Sequence, residues 1–182
     1  MRVASELLAA GGVDHVRMPE VARAAGVTRA VVYRFFPSRQ ALLAAVLEDF
    51  RGDLEARFAA RAPLLSARRA ALDLTVRGFV EACCDSIDAM GAGGWILLDM
   101  DGPDAELAAL SRTTRRALNE PWRARVANVT RLRGPMLDAV SAMAVAASRA
   151  ALTLYLEKRI SREQAVEALS RGMRALLTEF RG

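Results

Sequence analysis

Apolar residues recur three and four positions apart in one segment after another along this chain, a period that predicts helices rather than strands. The first run, about Arg2 to Ala10, is stopped by Gly11-Gly12 where a C-terminal cap belongs. A second covers about Met18 to Ala25, with Pro19 tolerated in its first turn and Gly26 ending it. Thr28 offers an N-cap oxygen to a third, about Arg29 to Phe35. Ser38 does the same for a long fourth, from Arg39 to about Arg61, broken or ended by Pro63.

Further on, a run from about Ala67 to Met90 sets Leu72, Val76, Phe79, Cys83, Ile87 and Met90 toward one core. Gly91-Ala92-Gly93-Gly94 predicts a flexible break and Asp101-Gly102-Pro103 a turn, with the apolar run Trp95 to Met100 between them. A helix then spans Asp104 to about Asn119, and another begins near Pro121. The last two are the most regular. Met136, Val140, Met143, Ala147, Ala150 and Leu154 follow a four-three spacing, Ser161-Arg162-Glu163-Gln164 reads as a capping box, and Val166, Leu169, Met173, Leu176 and Phe180 repeat the stripe. That paired stripe has two readings: packing within one subunit, or a four-helix interface between two identical subunits. The second assigns Met136, Val140, Met143, Ala147, Leu154, Leu169, Met173, Leu176 and Phe180 to the interface. With no alternating strand pattern and no internal repeat, the expected fold is all-α.

Composition narrows the class. Of 182 residues, 53% are hydrophobic, too many for a disordered chain. The net charge of +5 favours a polyanionic partner, and it is uneven: residues 17 to 39 carry Arg17, Arg23, Arg29, Arg34 and Arg39 against Glu20 alone, a net +4. Two short helices joined by a glycine turn, on the most cationic stretch, are the parts of a helix-turn-helix DNA reader. Cys83 and Cys84 are adjacent, so no unstrained disulfide and no oxidising compartment is implied, and a cytoplasmic location follows. The apolar stretch Met136 to Leu156 is interrupted by Asp138, Ser141, Ser148 and Arg149 and is not read as a membrane span. His15 is the one histidine; without a nucleophile-base pair, a metal shell or a phosphate loop, the sequence predicts no enzyme, no cofactor and no metal.

The first fifty or so residues resemble the tetracycline-repressor (TetR) family of bacterial transcriptional regulators. The resemblance rests on Ala4-Ser5-Glu6-Leu7-Leu8 and Gly12, on Glu20-Val21-Ala22-Arg23-Ala24-Ala25-Gly26-Val27-Thr28, on Val32-Tyr33-Arg34-Phe35-Phe36-Pro37-Ser38-Arg39, and on Ala41-Leu42-Leu43. It implies a three-helix helix-turn-helix DNA-binding domain over residues 1–46, followed over 47–182 by a helical-bundle dimerisation and ligand domain. Residues at the head of a helix in the major groove meet base edges, which makes Thr28, Arg29, Ala30 and Val31 the candidate readers. Arg29 suits a guanine or a phosphate, and Val31 a thymine methyl. Tyr33 and Arg39 match positions that in this family hold backbone phosphates, with Arg34 alongside.

The chain departs from the family pattern in three places. Arg17 stands where Ser or Thr commonly caps the second helix; Glu20 can still reach back, and Arg17 is free to grip a phosphate. Phe35 stands where a histidine is common. The first helix begins almost at Met1, several residues shorter than is usual in the family, a hint of a truncation or of the start site.

The resemblance also implies a homodimer that sets two recognition helices about 34 Å apart on a palindromic operator, acting as a repressor and released by a small-molecule effector of unknown identity. Candidate pocket residues are Phe79, Cys83, Trp95, Leu98, Met100, Trp122, Val126 and Tyr155, each also readable as ordinary core. The alternative function is a helical interaction protein of the same fold that has lost or weakened DNA binding.

Overall fold

Caps and buried stripes decide where the helices run. The computed structural model describes residues 1–66, 72–99 and 104–180. In order these form α1 (Arg2–Gly11), a 3-10 turn (Val13–His15), α2 (Met18–Ala24), α3 (Arg29–Phe35), α4 (Arg39–Ser66), α5 (Leu72–Met90), α6 (Gly93–Leu98), α7 (Ala105–Thr130), α8 (Gly134–Leu156) and α9 (Arg162–Glu179). No strand occurs among the described residues, so the chain is all-α. Gly12 ends α1 at φ 71°, in the left-handed region that glycine enters without a Cβ clash. Ser161 and Gln164 form the expected reciprocal capping box: Gln164 N donates to Ser161 Oγ at 3.2 Å and Ser161 N to Gln164 Oε1 at 2.8 Å.

Three expectations need correction. Pro63 does not end the fourth helix, because α4 runs through it to Ser66, the last described residue before Leu72. Pro121 likewise lies inside the single helix α7 rather than starting a new one. Leu118, Trp122 and Val126, four residues apart on both sides of it, are all buried, and that shared stripe outweighs one missing backbone bond. The predicted break at residues 91–94 is confined to its first half: Gly91 turns the chain at φ 80°, while Gly93 and Gly94 are the first residues of α6. Residues 67–71 and 100–103, which include the candidate Met100 and the Asp101-Gly102-Pro103 turn, lie outside the described residues.

The chain divides into two compact units, Met1–Leu54 with Ser86–Arg116 and Glu55–Asp85 with Ala117–Gly182. In the first, α6 lies directly against α1 and α4. Gly93 N donates to the buried Ser5 Oγ at 3.0 Å. A Cβ on Gly93 would stand 2.5 Å from Ser5 Cα, and one on Gly94 would stand 2.3 Å from Phe50 Cβ. The far end of α6 is tied to α7, where Ser111 Oγ lies 2.7 Å from Leu97 O and Arg115 Nη1 donates to Leu98 O at 3.0 Å. These bonds satisfy carbonyls that a short helix leaves open.

In the second unit α8 packs on α9, burying Leu137, Val140, Ala144 and Leu152 together with Ala165, Val166, Leu169, Met173 and Leu177. Asp85 gathers cations from two other helices: Arg61 Nη2 at 2.7 Å, Arg57 Nη1 at 3.9 Å, and Arg162 at the start of α9. Burial alone would raise the pKa of Asp85, but the hydrogen bonds from Arg61 and Arg162 and their positive charges outweigh it and hold the carboxyl below its ordinary value. Both thiols, Cys83 and Cys84, are buried, and burial together with the neighbouring Cys84 pushes the Cys83 thiol far above its usual range, making it unreactive.

Two outcomes follow from this packing. Gly94→Ala should cost about 1 to 3 kcal/mol, the range for forcing extra atoms into a packed contact, read as a lowered melting temperature; an unchanged melt would show that Phe50 yields freely. A carboxyl with a depressed folded pKa contributes stability that is present above its unfolded value and lost as pH falls through the folded one. The protein should therefore weaken in acid, from about pH 4 downward. Asp85→Asn should be less stable at pH 7 by about 1 to 3 kcal/mol and lose less on acidification. Urea melts at pH 7 and pH 3 measure both.

Candidate nucleic-acid interface

The candidate interface is built on α2, the turn after it and α3. Gly26 takes φ 69°, so the chain reverses without a Cβ penalty. Thr28 is extended at φ −75° and ψ 155°, and its Oγ1 accepts from Val31 N at 3.4 Å, capping α3 as expected. Met18, Val21 and Ala22 from α2, Val16 before it and Val32 from α3 are all buried. Val32 is the one buried residue of α3, so the rest of that helix faces outward.

The outward residues are Thr28, Arg29, Ala30, Tyr33, Arg34 and Phe35, with Val31 half-buried. No acid lies in α3. Arg17 is exposed at the head of α2 and supplies no side-chain cap, the expected consequence of an arginine in that place. Arg23 and Arg29 border an open hollow of about 420 Å³ together with Pro19, Glu20, Ala22 and Val27. Glu20 Oε2 is buried there with no hydrogen-bond partner among the described residues.

Arg39 is held differently from the other arginines of this segment. Its Nε donates to Val16 O at 2.9 Å, its Nη2 donates to Val13 O, and Asp14 lies 3.6 Å away. The guanidinium ties the start of α4 to the 3-10 turn and the segment leading into α2. Ser38 caps α4 beside it, accepting from Ala41 N at 3.1 Å. A cation in the first turn of a helix, unfavourable against the helix dipole, is thereby matched to carbonyls and a carboxylate.

The candidate pocket residues separate. Phe79 and Trp122 come together, ring centroids 5.6 Å apart, and Phe58 of α4 stacks on Phe79 at 5.1 Å. Sequence reasoning missed Phe58, whose neighbours on α4 are mostly charged or small and gave no stripe to find it by. Cys83, Trp122 and Val126 are buried in the same unit, where Tyr155 is half-buried. Trp95 and Leu98 belong to the first unit, buried on α6. In that unit a hollow of about 160 Å³ is lined by residues of α1, α4, α5 and α6, among them Ser5, Asp49, Phe50 and Met90.

The candidate interface residues also fall on two faces. Val140, Leu169 and Met173 are buried within their unit; Leu154, Leu176 and Phe180 are half-buried. Met136 and Met143 are 53% and 52% exposed, and Ala147 is exposed with them. Ala150, already in the sequence stripe, extends that outer face along α8 with Ala139 and Ala146, and Ala168, Gly172 and Ala175 line the outside of α9; apart from Ala150, these small residues were not among those the stripe picked out. Gly134–Leu156 is long and apolar enough to cross a membrane by length and composition, with a mean hydropathy of 1.5, yet only 22% of that window is buried.

Residues 1–46 match the family model described as bacterial regulatory proteins, tetR family. A comparison with curated proteins found no match. Among solved structures, the TetR family transcriptional regulator PfmR from Thermus thermophilus is similar over 97% of this chain and 96% of its own, with a TM-score of 0.68 at 16% identity. A putative tetR family transcription regulator from Shewanella sp. PV-4 is similar over 98% of this chain and 92% of its own, with a TM-score of 0.62 at 17% identity. The chain thus carries at its N-terminus the helix-turn-helix domain of the tetR family of bacterial regulatory proteins, on the fold of that family's transcriptional regulators.

Proposed function

We propose that this protein is a cytoplasmic, ligand-responsive repressor that binds a palindromic operator as a homodimer, with residues 1–46 reading DNA and 47–182 serving effector binding and dimerisation. The observation that carries this reading is the outer face of α3, where Thr28, Arg29, Ala30, Tyr33 and Arg34 are exposed with no acid among them. Arg29 reads a base edge, Thr28, Ala30 and Val31 lie beside it, and Arg17, Tyr33 and Arg34 hold phosphates. Arg39 serves this surface mainly by bracing the approach to α2.

The uncovered apolar face of α8, Met136 and Met143 with the alanines between them, supports a second copy packing α8 and α9 against their counterparts. Small residues on both helices favour a close approach. The aromatic group Phe58, Phe79 and Trp122 offers stacking surfaces for a flat apolar effector. Because Gly93 and Gly94 leave no slack between α6 and the helices α1 and α4, an effector that displaces α6 moves both and disturbs the DNA-facing helices.

Arg29→Ala should weaken specific binding by about 1 to 3 kcal/mol and relax preference at one base position. Fluorescence anisotropy on specific and random duplexes checks it, and equal losses on both would move Arg29 to the backbone. Arg39→Ala should cost about 1.5 to 3 kcal/mol of stability, the range for charge-assisted hydrogen bonds, read as a lowered melting temperature, and should lower affinity with it. An unchanged melt with a salt slope reduced by about one would assign Arg39 to a phosphate instead.

A further inference from the structure

Phe35, the last residue of α3, is 64% exposed, more than any other large apolar side chain among the described residues. Val27 and Tyr33, 41% and 49% exposed, lie close to it in the chain, within the segment of net charge +4. Single exposed apolar residues need no explanation, but three within nine positions on the most cationic stretch suit a partner that is anionic and locally apolar. A DNA duplex fits both terms: phosphates line the major groove, and the one apolar group on its base edges is the thymine 5-methyl.

The placement of the ring favours that group. Phe35 lies four residues beyond Val31 and seven beyond Thr28, so the three share one side of α3. The guanidinium of Arg34 sits over the Phe35 ring, 5.1 Å from its centroid, restraining the ring and setting a cation beside it. A phenyl ring has no donor or acceptor and cannot hold a phosphate or pair with a base edge by hydrogen bonds. Apolar contact is what remains to it.

We propose that Phe35 is a specificity-determining residue that packs against a thymine 5-methyl, so that each half-site contains a thymine read by shape rather than by hydrogen bonds. This rests on the reading of α3 as a major-groove helix. Burial of one methyl group makes the expected effect of replacing that thymine by deoxyuridine about four-fold per half-site, and about fifteen-fold when both halves are changed.

The test starts from duplexes enriched by the wild-type protein from a random pool. Each thymine is replaced in turn by deoxyuridine, and binding is measured by anisotropy for the wild type, Phe35→Ala and Val31→Ala. The expected result is one uracil-sensitive position per half-site, lost in Phe35→Ala and kept in Val31→Ala, with unchanged thermal melts because the ring is exposed. Sensitivity that survives in Phe35→Ala, or vanishes only in Val31→Ala, overturns the proposal. So does a Phe35→Ala protein that binds every duplex as the wild type does, which would assign the ring to a protein contact. If no duplex is enriched at all, the DNA-reading function itself fails; if duplexes are enriched but are blind to the methyl, the Phe35 proposal alone fails.

Discussion

A helix of seven residues does not hold by itself in water, because nucleation costs more than so few backbone bonds return. α3 therefore exists only through what surrounds it, and the same contacts fix which way it faces. Val32 is buried, Thr28 caps the first turn, and Gly26 supplies the left-handed turn from α2. Once Val32 is inside, Arg29, Ala30, Tyr33 and Arg34 have no choice but to point outward. The surface that the functional reading uses is the complement of the small core that makes the helix possible.

Arginine does several different jobs in this chain, and composition cannot tell them apart. Arg29 and Arg34 stand on an outer face; Arg39 is locked to the carbonyls of Val13 and Val16; Arg57, Arg61 and Arg162 converge on Asp85. The partners decide the role. A carbonyl brace and a half-buried carboxylate tie helices together, whereas a guanidinium held over an aromatic ring at the end of α3 keeps its charge on the surface.

The N-terminal elements were legible because their signals are local. Thr28, Gly26 and Ser38 are caps and turns that act within three or four residues, and α3 runs over the span predicted from them. Where distant contacts decide, the sequence misled. Pro121 reads as a helix start until the buried stripe of Leu118, Trp122 and Val126 carries α7 through it, and Gly93-Gly94 reads as a hinge although both glycines are there because Ser5 and Phe50 come too close for a Cβ. Arg39 shows a related limit at the site: the family resemblance made it a candidate phosphate ligand, and nothing in the local sequence reveals that the carbonyls of Val13 and Val16 also lie within its reach. The regular stripes of α8 and α9 blended an inner face with an outer one, since alanine and methionine serve either.

The central claim is that two copies of α3, related by a two-fold axis, read one duplex. Enrichment of bound duplexes from a random pool, followed by sequencing, tests it most directly. The account predicts an inverted repeat whose half-site centres lie about one helical turn apart, or a multiple of it. Enrichment of a single unrepeated site, or of no sequence at all, would contradict it.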